Sequence, residues 1–118
     1  MRTYCFRTCI SISHSNDGVR ENAHGHTVEV AAFLRLNELL SDIRKFEDTE
    51  KLIAECLSQY QEQYLNDMQG FKGDSSIENL GEILFYSLAD KLDSNNIFME
   101  KLEIGETPLR TYIVTRTM

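Results

Sequence analysis

Proline occurs once in the 118 residues, at Pro108, and tryptophan is missing altogether. With six glycines as well, nothing reads as a Pro- or Gly-rich linker or a low-complexity tract. Cysteine is scarce: Cys5, Cys9 and Cys56 are odd in number and form no CxxC pair. That excludes a disulfide framework and leaves reduced, partly buried thiols as the expectation. Basic residues are also in deficit, 12 against 19 acidic, for a formal charge of −7. A nucleic-acid surface wants clustered Lys and Arg, and an anionic membrane wants the same, so neither partner is expected. No apolar run approaches the roughly 20 residues of a spanning helix. Residues 1–10 carry arginines but no apolar signal core, so a cytoplasmic location is expected. What remains, at 42% hydrophobic and 26% charged, is an ordinary globular composition of a length that suits one domain, residues 1–118.

Residues 3–14 alternate. Tyr4, Phe6, Ile10, Ile12 and His14 share one parity; Cys5, Arg7, Cys9, Ser11 and Ser13 share the other. Period two means strand. Asn16-Asp17-Gly18 is turn chemistry, and a second strand is expected from His24 to Leu36, giving an antiparallel hairpin. Spacings of three and four then take over. Ile43, Phe46, Ile53, Leu57, Tyr60 and Tyr64 form the stripe of a first helix, widened by Leu52 and Cys56, with Asp42 as cap or first-turn acid. A loop is expected from Asn66 to Gly73. A second helix starts at Ser75 or Ser76, where Ser75 and Glu78 fit a capping box. Leu80, Ile83, Leu84, Leu88 and Leu92 supply its buried stripe, and Asp93-Ser94-Asn95-Asn96 ends it. Strands follow over about Ile97 to Gly105 and Leu109 to Arg116, joined at Thr107-Pro108. The order ββααββ predicts an α+β protein with a four-stranded antiparallel sheet and two helices on one face.

All three histidines of the chain lie within thirteen residues. His24 and His26 are two apart on a strand, so their side chains leave the same face. His14 ends the neighbouring strand on its apolar face, and a hairpin would let the three imidazoles converge. Neutral imidazole suits zinc, and three protein ligands leave a fourth position open. The spacing by itself also fits unrelated histidines at a strand edge. A cupin site, which would use HxH with Glu29, is excluded by the helical middle of the chain and by the opposite parity of Glu29.

The segments SISHSNDG (11–18) and GVRENAHGHTVEV (18–30) resemble the zinc motif of the 6-pyruvoyl-tetrahydropterin synthase and 6-carboxy-tetrahydropterin synthase family, in which one His ends the first strand and an HGH pair opens the second. The similarity continues through LLSDIRKF (39–46), YLND (64–67), SSIEN (75–79), GET (105–107) and Tyr112, in the right order along nearly the whole chain. The resemblance implies the tunnelling fold: sheets of three subunits close into a barrel, trimers stack into hexamers, and sites lie between subunits. It implies Zn2+ on His14, His24 and His26, a small-molecule pterin substrate, and a pterin-ring anchor at Glu106 with Thr107. Parity with Phe98, Leu102 and Ile104 independently projects Glu106 from an apolar face, although a strand-end Glu in solvent is the commoner state.

Two positions depart from the family. Its catalytic Cys lies four residues before the HGH pair, where this chain has Arg20. Glu21 follows, and Gly-x-Arg-Glu-x-x-His-Gly-His resembles the subgroup in which Glu replaces that Cys, associated with cleaving the side chain of 7,8-dihydroneopterin. The family's Asp-His pair maps onto Gln61 and Glu62, of which only Glu62 can carry a proton. A zinc-dependent pterin lyase with Glu21 as proton carrier and Glu62 as helper is therefore expected. Its rivals are a zinc- and pterin-binding homologue without chemistry, with Glu21 and Glu62 simply solvated, and a 6-carboxy-tetrahydropterin synthase-like step of 7-deazapurine synthesis.

Overall fold

The computed structural model describes residues 2–36 and 43–116. The opening hairpin is formed by β1 (Arg2–His14) and β2 (His24–Leu36), antiparallel and in unbroken register from Arg2 opposite Leu36 to His14 opposite His24. α1 (Ile43–Ser58), the two-residue β3 (Gln63–Tyr64) and α2 (Ile77–Asp93) follow, and β4 (Phe98–Thr107) and β5 (Arg110–Thr115) close the chain. The sheet order is β3-β1-β2-β4-β5. The expected cap Asp42 and the side chain of Ile43 lie outside the described residues. Among the described residues no helix is long and apolar enough to cross a membrane.

Both helices lie on one face of the sheet, and the core forms between them. Ile10 and Ile12 of β1, Val28, Val30, Ala32 and Leu34 of β2, and Leu102 and Ile104 of β4 meet Ile53 and Leu57 of α1 and Leu80, Leu84, Leu88 and Leu92 of α2. Each such fully buried aliphatic side chain contributes about 1.5–3 kcal/mol. The other face carries exposed Cys5, Cys9 and the Arg7–Glu29 ion pair. Gly81 makes a notch in α2: a Cβ there would stand 2.9 Å from the Tyr112 ring and 3.0 Å from Ile104 Cγ2. The missing side chain lets the helix seat closely on β4 and β5.

The sheet has five strands rather than four, and the first helix is shorter than its apolar stripe suggests. After Ser58 the chain turns, and Tyr60 still reaches the core, but Tyr64 belongs to β3, parallel to β1 at Ile12 and Ser13. The open edge of β1 accounts for this. The Ser11 carbonyl accepts from the Glu62 N–H at 2.6 Å, and the Ser11 N–H donates to Gln61 Oε1 at 3.0 Å. Satisfying these backbone groups competes successfully with another helical turn. The turn holds Glu62 at φ 59°, in the left-handed region.

The second helix is capped by Ser76, not Ser75: its hydroxyl accepts from the Asn79 N–H at 3.1 Å. Asn79 in turn donates to the carbonyls of Gly70 and Asp74. In β4, a bulge between the partners of Phe33 and Leu34 shifts the parity. Met99, not Phe98, is the buried residue of the first β4 turn of the pleat, and Phe98 lies between the guanidinium groups of Arg35 and Arg116. The order of the main elements and the α+β class are as the sequence pattern implies.

A left-handed Glu costs about 1 kcal/mol that glycine avoids. Glu62→Gly is therefore expected to leave stability unchanged or raise it by up to about 1 kcal/mol, once glycine's greater unfolded-state entropy is included. A denaturant midpoint well below that of the parent would show that the Glu62 side chain is itself structural.

Candidate metal centre

The hairpin register builds the site. His14 pairs with His24 and Ile12 with His26 across β1 and β2, so all three imidazoles emerge together at one end of the sheet. Ring centroids are 4.6, 4.7 and 5.0 Å apart, and one nitrogen from each ring lies within 4.8 Å of the others. His14 is buried, His26 half-buried and His24 exposed, so the cluster is walled on one side and open on the other.

The protonation pattern of His14 follows from its partner. Its Nδ1 lies 2.7 Å from the carbonyl oxygen of Ser75, which can only accept. Nδ1 therefore carries the hydrogen, and Nε2 presents a lone pair to the cluster. That Nε2 and the Nε2 of His26 are buried without a hydrogen-bond partner. Orphaned polar atoms of this kind are costly. Two of them converging beside a third imidazole is the arrangement expected of ligands. The three histidines could hold a metal ion.

Glu106 stands beside them. The β4–β5 register slips between Gly105 and Thr107, placing Glu106 in a bulge. Its carboxylate lies 3.5 Å from His26 Nε2, an ion-pair distance without hydrogen-bond geometry, and 3.9 Å from the Arg110 guanidinium. It also borders a cavity of about 360 Å3 between the first turn of α2 and the β4–β5 hairpin, with Ile77 and Ile104 as apolar walls and Glu78, Arg110 and Tyr112 as polar ones. Thr107 is exposed at the hairpin, where its hydroxyl accepts from the Leu109 N–H. Burial holds the His26 imidazole below its ordinary value of 6.5; Glu106 opposes this, while His14 and His24 add to it.

The other expected site residues are placed differently. Glu21 is exposed in the 3-10 turn Arg20–Asn22, three residues before His24. Its neighbour Arg20 is bound to Asp67 and stacks over the Tyr64 ring at 4.4 Å. Glu62 lies at the outer edge of β1 beside Ser11, and among the described residues no ion pair or hydrogen bond of its side chain leads to the histidines. The sequence pattern gave Ser15 and Asn66 no role and offered Ser75 only as a helix cap, yet all three lie around His14. Asn66 exchanges two hydrogen bonds with the Ser15 backbone, and Ser75 supplies the carbonyl for the His14 ring. Their other sequence signal was their place in the SISHSNDG, YLND and SSIEN segments. The Ser15 hydroxyl reaches Asp17, whose carboxyl is held at about 2 by that bond first, then by the Val19 N–H and the Asn22 amide.

A histidine triad that could hold a metal ion thus stands at the open end of a helix-backed antiparallel sheet, with a carboxylate and a cavity beside it. The sequence model of the 6-pyruvoyl tetrahydropterin synthase family matches residues 2–117, and the chain belongs to that family. Solved structures with the same fold include the 6-pyruvoyl tetrahydropterin synthase of Caenorhabditis elegans, 20% identical, with a TM-score of 0.77 over 98% of this chain and 96% of that one. The Plasmodium falciparum synthase is 15% identical with a TM-score of 0.63, covering 99% and 98%. A Plasmodium vivax synthase is 14% identical with a TM-score of 0.68 over the whole of both chains; it is a catalytic-residue mutant with a glutamate replaced by alanine. No curated protein sequence matches the chain significantly.

The lowered His26 value has a definite sign. The unfolded chain takes up a proton at His26 as pH falls through 6.5, whereas the folded chain resists it. The neutral ring's contribution to stability is thus present above 6.5 and is lost as pH falls towards the folded value. Metal-free protein is expected to lose thermal stability more steeply than His26→Gln does as pH falls below 6.5. Equal slopes in the two melting series would exclude the effect.

Proposed function

We propose that this protein is a zinc-dependent lyase that cleaves or eliminates the side chain of a 7,8-dihydroneopterin-like pterin, acting as a single tunnelling-fold domain over residues 1–118. The observation that carries the metal part is the pair of buried, unpartnered Nε2 atoms on His14 and His26. Three neutral imidazoles with no thiolate or carboxylate in the set suit zinc. Bound there, the ion would supply Lewis-acid polarisation of a side-chain oxygen of the substrate.

The remaining chemistry falls to the chain's own groups. Glu106, with Thr107 next to it, would take the pterin ring: a carboxylate accepts two parallel N–H bonds from an aminopyrimidine edge. Ile77 and Ile104 offer flat apolar contact in the adjoining cavity. Glu21 would accept a proton at its carboxylate from a side-chain hydroxyl of the substrate and return one to the carbon released when the bond breaks. The catalytic glutamate of the Plasmodium vivax relative supports a carboxylate in this role. Arg20, where many family members carry Cys, is engaged with Asp67 and Tyr64 and leaves the proton work to its neighbour. Glu62 would act as helper in a site shared between copies. Both sheet edges support assembly into a trimer or hexamer, since among the described residues β3 covers β1 only at Ile12 and Ser13 and β5 has no outer neighbour. The three free thiols suit a cytoplasmic setting.

One observation favours a second reading, a pterin-binding homologue without turnover: the Glu21 carboxylate is exposed and the Gln61–Glu62 pair serves the edge of β1. Zinc-loaded protein incubated with dihydroneopterin and with its triphosphate separates the two. Consumption of either, falling by roughly 100- to 10,000-fold in Glu21→Ala with zinc retained, is the expected result. Binding without consumption, alongside an active family enzyme, would establish the second reading instead. Glu106→Gln is expected to weaken pterin binding by about 10-fold or more while leaving zinc content unchanged.

A further inference from the structure

Ser15 follows the buried ligand His14 and is itself fully buried, and its three polar groups are all engaged. Its N–H donates to Asn66 Oδ1 at 2.9 Å. Its carbonyl accepts from Asn66 Nδ2 at 3.0 Å and from the Ser75 hydroxyl at 3.1 Å. Its own hydroxyl donates to Asp17 at 2.5 Å, and Asp17 receives the Val19 N–H and the Asn22 amide. One residue therefore touches three segments: the 3-10 turn Leu65–Asp67 through Asn66, the entry to α2 through Ser75, and the loop from Asn16 to Ala23 that carries Glu21. The Ser75 end returns to the metal centre, because the Ser75 carbonyl holds the His14 ring. The Leu65–Asp67 turn is tied to the loop a second time by Asp67 and Arg20.

We propose that Asn66 and Ser15 are positioning residues that lock the metal ligand His14 and the Glu21 loop into one unit. The proposal rests on the reading of the histidines as metal ligands and of Glu21 as the proton carrier. Asn66 is suited to the task because its amide accepts from the N–H of Ser15 and donates to the carbonyl of the same residue, a pairing that a carboxylate, with acceptors only, does not make. It fixes the backbone directly after His14. Ser75 then sets the ring's rotation and tautomer, as outer partners of metal-bound imidazoles do. The Ser15 hydroxyl extends the same rigidity to the loop.

Two variants separate the two halves of the clamp. Asn66→Asp keeps an acceptor for the Ser15 N–H and loses the donor to its carbonyl. Ser15→Ala keeps every backbone bond and loses the link to Asp17. Metal-free full-length protein is titrated with Co2+ against a competing chelator, following the visible absorption of the ion. Hydrogen exchange is followed over residues 16–23. Asn66→Asp is expected to weaken Co2+ binding by roughly 10- to 100-fold and to alter the absorption band. Ser15→Ala should bind Co2+ within about threefold of the parent, exchange several-fold faster at the amides of Gly18, Val19, Asn22 and Ala23, and lower kcat with little change in KM. Leu92→Ala, a core cavity at the far end of α2, controls for general destabilisation and should leave the Co2+ band and affinity in place.

Parent-like Co2+ affinity in Asn66→Asp overturns the hold on His14. Unchanged exchange over 16–23 in Ser15→Ala overturns the link to the loop. Absence of Co2+ binding in the parent overturns the metal reading itself, and this proposal with it.

Discussion

The structure depends first on the register of the β1–β2 hairpin. A slip of one residue between paired strands reverses the face of every side chain on one of them. Here that would move Val28, Val30, Ala32 and Leu34 out of the core and send His24 and His26 to the face opposite His14. Core and candidate metal centre are thus fixed by the same set of backbone bonds. The apolar residues hold the register for the histidines, because only one pairing buries them against both helices. The site can then carry unpartnered nitrogens, because the alternative pairing would sacrifice a continuous row of buried aliphatic side chains.

The helical layer completes the centre from the other side. The residue that binds the His14 ring lies just before α2, and its position depends on the chain entering that helix in one way. Ser76 takes the cap, Asn79 ties the preceding loop at Gly70 and Asp74, and Ser75 is left facing inward. A neighbouring pair of serines thus divides two tasks. One ends a helix, and the other joins the polar network beneath a candidate ligand. The centre is therefore a product of the packing between the two layers, as well as of the hairpin.

Much of this was legible in the chain. Parity showed β1 and β2, and two histidines at a spacing of two on a strand had to share a face. What was hidden has physical causes in particular residues. The stripe from Ile43 to Tyr64 reads as one helix, but the open edge at Ser11 drew Gln61 and Glu62 into a turn, and β3 formed where periodicity has no signal. Counting parity along β4 linked Glu106 to Phe98; the bulge beyond Met99 breaks that count, and only Leu102 and Ile104 stay in phase before the second bulge at Glu106. A Ser-x-x-Glu pattern marked the wrong serine as the cap, since Asn79 satisfied Ser76 instead. Hydrogen bonds over about sixty residues, such as those joining Ser15 to Ser75, leave no local trace. Only the family resemblance pointed at the segments that contain them.

The notch at Gly81 reaches further than its own contacts. α2 seats on Tyr112 and Ile104 at the distance that a missing Cβ permits. One turn earlier, the same helix presents Ile77 and Glu78 across the cavity from the same two strands. The aperture of that cavity is therefore dimensioned by a residue that lines none of it. A change in helix seating at Gly81 would widen or tilt the slot as a whole, so the shape of the pocket is inherited from the spacing between layers rather than carved by its walls.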